Sequence, residues 1–191
     1  MKIYIAFAAL ALVGAAAPVP ASAQMMAGAN KTVMVGGAPM YPSRNIVQNA
    51  VNSKDHTTLV AAVKAAGLVD TLQGPGPFTV FAPTNKAFGK LPKGTVETLV
   101  KPENKTKLTG ILTYHVVSGR YTAQDLMSLV SRGGGQAMLA TANGEQLTIT
   151  QSGRSRLVVT DRKGDQAIIT IPNVLQSNGV IHVVDTVLVP G

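Results

Sequence analysis

Three histidines, two closely spaced aspartates and a complete absence of cysteine set what chemistry this 191-residue chain could perform. His115 and His182 lie inside apolar runs, where an imidazole hydrogen-bonded within the core is the expected state. His56 stands at a helix start and is expected at the surface. A metal centre built on histidines would need a spacing such as His-x-His or His-x-x-x-His, and neither occurs, so no metal or other cofactor is expected. There is no thiol to act as a nucleophile and no Gly-x-Ser-x-Gly elbow to present a serine. Asp161 and Asp165 flank a Lys163-Gly164 turn beside Arg162, the pattern of a solvated hairpin rather than an acid–base pair. Gly133 to Gly135 are not followed by Lys-Ser/Thr and do not form a phosphate loop. Met25, Met26, Met34 and Met40 could offer thioether ligands, but with no His or Cys nearby they read as flexible or gap-filling residues. The residues assemble no catalytic site, and the chain reads as non-enzymatic.

Charge offers a different kind of chemistry. Seventeen Lys and Arg against nine Asp and Glu give a net of +8, which can draw an exported protein to anionic glycans, lipid headgroups or the cell envelope. Arg154, Arg156, Arg162 and Lys163 fall around two adjacent turns and are candidates for one basic cluster at an end of the fold. Nucleic acid is not an expected partner, because the basic residues are dispersed and have no aromatic side chains among them for base stacking.

The elements that must position these residues begin after a processing signal. Lys2, the apolar run Ile3 to Ala17, the breakers Pro18 and Pro20, and Ala21-Ser22-Ala23 predict a signal peptide over 1–23. With neither a lipobox cysteine nor an anchor tail, the expected product is soluble and either periplasmic or extracellular. Residues 24–42 read as a flexible, Met-, Ala- and Gly-rich leader, and 43–191 as a single domain. Within it, helical periodicity runs from Ser43 through Val130, interrupted by Phe78 to Ala82 and Tyr114 to Val117, which read as buried strands. Beyond Gly135 the pattern changes to short β-branched runs at 137–140, 146–150, 157–160, 167–171 and 180–185. Helices first and strands last predict an α+β domain.

Three segments carry a family resemblance. Phe78-Thr79-Val80-Phe81-Ala82-Pro83-Thr84-Asn85-Lys86-Ala87-Phe88, then Tyr114-His115-Val116-Val117, then Asn178-Gly179-Val180-Ile181-His182-Val183-Val184-Asp185 resemble, in order and spacing, the hallmark blocks of the fasciclin domain. The resemblance runs from about Asn45 to Pro190 and implies a wedge-shaped β-sandwich with a cluster of helices from the N-terminal part. It also implies a secreted or surface module for adhesion to surface or matrix proteins. Pro83 and Thr84 would end a strand and cap a helix, and Asn178-Gly179 would supply a positive-φ turn. In animal members the Tyr-His block is linked to integrin binding, which carried over would mark Tyr114 and His115, though their apolar setting argues for burial. No Arg-Gly-Asp occurs; Asn30-Lys31-Thr32 and Asn104-Lys105-Thr106 match the glycosylation sequon. Some relatives bind carotenoids, so the alternative is a carrier of a small apolar ligand, lipid or carotenoid, with Met127, Leu129, Met138 and Leu139 as candidate lining. Few aromatics are available for such a pocket.

Overall fold

The computed structural model describes residues 32–153 and 155–191; the signal-peptide reading and Arg154 lie outside them. The first element is a hairpin, β1 (Val33–Val35) and β2 (Ala38–Met40), joined at Gly36-Gly37 with positive φ at both turn residues. A flexible leader tied down only near Tyr41 was expected here. Instead Val35 and Met40 are buried in the core, and Gly36 sits so close to Ser53 that no side chain could replace its hydrogen. Apolar residues at the inward positions of a two-residue hairpin are sufficient to dock it.

Helices follow: α1 (Ile46–Ala50), a 3-10 turn (Lys54–His56), α2 (Thr57–Ala66) and α3 (Val69–Gln73). Asn45 rather than Ser43 caps α1, in a capping box with Gln48. Gly67, in the left-handed conformation at φ 74°, ends α2. Then come β3 (Phe78–Pro83), α4 (Asn85–Gly89), capped by Thr84, α5 (Thr95–Leu99) and α6 (Lys105–Tyr114). The remainder is β4 (Val116–Ser118), α7 (Ala123–Arg132), β5 (Gln136–Ala140), β6 (Gln146–Ser152), β7 (Arg156–Thr160), β8 (Gln166–Gln176) and β9 (Gly179–Val184). Tyr114, read as a strand residue, is the last residue of α6, and His115 caps that helix.

Seven strands form one sheet in the order β4-β3-β9-β8-β7-β6-β5, with β3 and β9 parallel and the other pairs antiparallel. The first residues of β8 pair with β7 and the later ones with β9, and register shifts between Ile169, Ile171 and Val174 bend the strand between the two halves. The sheet thus folds over on itself. Its outer strands meet where Val117 bridges Thr141 and the Ala142 N–H donates to the Val116 carbonyl at 2.7 Å. This is the α+β wedge.

Side-chain alternation on β3 and β9 divides the interior in two. Val80, Ala82, Ile181 and Val183 face a core shared with the helices and the hairpin. Phe81, Val184, Tyr114, Leu126, Leu147 and Ile149 fill the inside of the folded sheet, which α7 covers. Buried on both faces, β3 and β9 read as nearly unbroken apolar runs.

Candidate functional site

The Tyr-His block is a fold joint. Tyr114 is wholly buried; its hydroxyl donates to the Gln146 carbonyl at 3.1 Å and accepts from the Arg162 N–H at 3.2 Å, tying α6 to β6 and to the β7–β8 turn. The His115 Nδ1–H donates to the Ile111 carbonyl at 2.8 Å, and its Nε2 accepts from the Leu188 N–H at 3.0 Å. Both ring nitrogens are occupied by backbone, which fixes the neutral tautomer, and burial pushes the ring down to about 4. Neither residue is available to a partner at the surface. Tyr114→Phe is expected to cost roughly 1–3 kcal/mol in urea unfolding by leaving the Gln146 and Arg162 backbone groups without a partner. Unchanged stability would mean the hydroxyl is not structural.

His182 plays a parallel part in β9. Its Nε2–H donates to the Tyr121 carbonyl at 2.8 Å and its Nδ1 accepts from the Asn173 N–H at 3.3 Å, while Asn173 Oδ1 accepts from the Ala123 N–H at 2.7 Å. The ring stacks on Phe81 with centroids 5.8 Å apart, and burial lowers its pKa. Asn173, at φ 59°, is the one non-glycine residue with positive φ among the described residues, and it is held there by this network.

His56 departs from the expectation of a surface residue. It is 3% exposed, pairs through Nδ1 with Ser53 Oγ at 2.8 Å, and its buried Nε2 has no hydrogen-bond partner, although the Ala82 carbonyl faces the ring. Burial is the main cause of its lowered pKa. The burial comes from the docked hairpin, whose Gly36 packs on Ser53, and from the Ser53 contact itself, neither of which a single periodicity window contains.

Asn178 does more than form a turn. Its Oδ1 accepts from the Ile46 N–H at 3.0 Å, and its Nδ2 donates to the Leu72 carbonyl at 2.8 Å and the Gly74 carbonyl at 2.9 Å, so one buried amide ties the start of α1 to the end of α3. Gly179 was expected for a positive-φ turn, yet it does not adopt one. It is needed because a Cβ there would run into the Phe78 carbonyl, where β9 begins beside β3. Asp161 is also buried: its Oδ1 accepts from the Lys163 and Asp165 N–H groups and its Oδ2 from the Val189 N–H, organising the turn it starts.

Of the basic residues singled out from sequence, Arg156 stands apart from Arg162 and Lys163. Arg156 begins β7, and Arg162 and Lys163 follow its other end, so the strand separates them by roughly 13 Å or more at about 3.3 Å per residue. All three are exposed. The concentration of charge lies elsewhere. Residues 43–110 carry nine Lys and Arg against four Asp and Glu, whereas 111–191 carry six against five. Lys54, Lys64, Lys86, Lys93, Lys101, Lys105 and Lys107 are all exposed on the helical layer, where α2 packs on both α4 and α6. Among the described residues the only ion pair is Lys90 with Asp185, at 3.2 Å.

Two concavities accompany this surface. Met127 and Leu129 line an open groove with Arg120 and Arg132; Leu139 is buried inside the sheet and Met138 is exposed. The second is a largely apolar cavity of about 110 Å³ between α1–α3 and the helix-facing side of β3 and β9, with Val47, Val60, Val69, Phe78 and Ile181 among its lining residues. No group of three or more His, Asp or Glu gathers among the described residues, and no helix there is long and apolar enough to cross a membrane.

The comparisons agree with this architecture. The chain is 44% identical over 187 residues to Protein sll1483 of Synechocystis, covering 97% of this chain and 95% of that one. It is 34% identical over 197 residues to Immunogenic protein MPB70 of Mycobacterium bovis, covering 97% and 93%. The solved FAS1 domain pair of the insect cell adhesion molecule Fasciclin I superposes with a TM-score of 0.67 at 22% identity, covering 78% of this chain and 51% of that one. The Fasciclin domain model matches residues 54–190, and the chain therefore belongs to the fasciclin family.

Proposed function

We propose that the protein is an exported, non-enzymatic module that associates with anionic envelope or matrix polymers through its helical layer. The observation that carries this reading is the set of seven exposed lysines on α2, α4, α6 and their flanking turns, which have no ion-pair partner among the described residues. Lysines spread over several packed helices sum their fields at a charged surface without needing one geometry, so the mode is electrostatic and salt-sensitive. The fold resembles that of a cell adhesion molecule, which agrees with a surface role. A soluble periplasmic or extracellular location follows from the export signal read in 1–23.

The test is binding to an anionic polysaccharide and to anionic vesicles across a salt series. At about 1 kcal/mol per lysine near an anionic surface, replacing Lys86, Lys93, Lys101 and Lys107 with Gln should weaken binding on the order of a thousandfold. Replacing Arg156, Arg162 and Lys163 should have a much smaller effect. Equal losses from both sets, or binding insensitive to salt, would overturn the assignment to the helical layer.

A second reading, carriage of a small apolar ligand, is favoured by the cavity under α1–α3. An apolar cavity of about 150 Å³ is known to admit benzene, so one of about 110 Å³ suits a slender chain end and does not enclose a carotenoid.

A further inference from the structure

The cavity between α1–α3 and the sheet has one charged residue in its lining, Lys64, and that residue is exposed. The rest of the wall is largely apolar, with Val60, Val63 and Val69 on α2 and α3 and Phe78 and Ile181 on the strands, and its buried polar members include Ser53, His56 and His115. Thr71 on α3 also lines the cavity and is also exposed, so both polar members contributed by these two helices reach solvent. A second ammonium is close by: a Cβ placed on Gly67, just past the end of α2, would meet Lys105 Nζ at 3.4 Å. Both lysines thus occupy the carbonyl end of α2.

We propose that this cavity receives the end of a single alkyl chain whose terminal carboxylate is held at the mouth by Lys64, making a fatty-acid anion its ligand class. The inference rests on the carrier reading and adds to it the head group and the chain number. The volume admits one narrow chain end and no second chain beside it. One flexible ammonium matches a singly charged carboxylate, whereas a phosphate would call for the forked donors of arginine or for several backbone N–H groups, and no arginine lines the cavity. The aliphatic wall supplies affinity in proportion to the methylenes it covers.

The experiment uses the full exported chain and titrates it, by NMR or calorimetry, with sodium alkanoates from butanoate to decanoate and with the 1-alkanols of matching length. Affinity should rise about fourfold per added methylene until the cavity is filled and then level off. Alkanoates should bind several-fold more tightly than alkanols of the same length. Lys64→Gln should bring the alkanoates down to the alkanol level and leave the alkanols unchanged, while Lys163→Gln, in the turn between β7 and β8 and outside the lining, should alter neither. If alkanols and alkanoates bind alike and Lys64→Gln changes nothing, the head-group assignment is wrong although the carrier reading stands. If neither series binds, both readings are overturned.

Discussion

Acidifying the protein from pH 7 to pH 4 should remove on the order of 3 kcal/mol of stability through His115 alone. The folded ring titrates near 4 because burial disfavours the imidazolium, against an ordinary value of 6.5. In the folded state the ring is therefore the weaker base. As the pH drops below 6.5 the unfolded chain takes up its proton first, and stability falls steadily until the folded ring is protonated near 4. Burial lowers His182 and His56 as well, so both add to the loss in the same direction. The Asp125 and Asp185 carboxyls lie below the ordinary value of 3.8 and titrate beneath this window. Urea unfolding at a series of pH values measures the slope directly. His115→Gln should lower stability at pH 7, because glutamine does not reproduce both backbone hydrogen bonds, and should flatten the decline between pH 6.5 and 4. A wild-type protein equally stable at pH 7 and pH 4.5 would sink this account.

Asn178→Ala is expected to be the most damaging single truncation, at roughly 3–5 kcal/mol. It strands the Ile46 N–H and the Leu72 and Gly74 carbonyls together, and these groups are shielded from water by the helices they belong to. Each buried group left unpaired costs about 1–3 kcal/mol. Asn178→Asp separates the contributions, since it keeps the acceptor for Ile46 and loses both donors. Equilibrium unfolding in urea reads both variants. A loss below about 1 kcal/mol for Asn178→Ala would show that water or a shifted backbone replaces the amide.

Much of the fold was legible because the chain changes its hydrophobic period once. The α+β division, the strands beyond Gly135 and the burial of His115 and His182 all follow from runs of apolar residues read locally. What escaped depends on partners distant in sequence. The hairpin of Val33–Met40 looked loose because its two anchors, Val35 and Met40, sit among glycines and find their core only when the helices are in place. His56 looked exposed because a polar residue at a helix start usually is. Asn178-Gly179 was recognised, but its role was assigned to turn conformation when the deciding contacts lie in α1, α3 and Phe78, over a hundred positions away. The spread of the basic side chains has a related cause. Arg156, Arg162 and Lys163 are close in sequence, but an extended strand carries neighbours apart, whereas helices that fold back on one another bring dispersed lysines onto one layer.

The position of β9 has a consequence for timing. It is the last strand in chain order, yet it lies in the interior of the sheet between β3 and β8, and its parallel pairing with β3 joins Phe78 to Gly179. A nascent chain that stops short of residue 179 has β3 and β8 with nothing between them, and both cores lack a wall. Pairing across so long a loop is slow and cannot be anticipated by local contacts. The polypeptide should therefore stay open until translation has passed β9, and the wedge can close only once nearly the whole chain has been made.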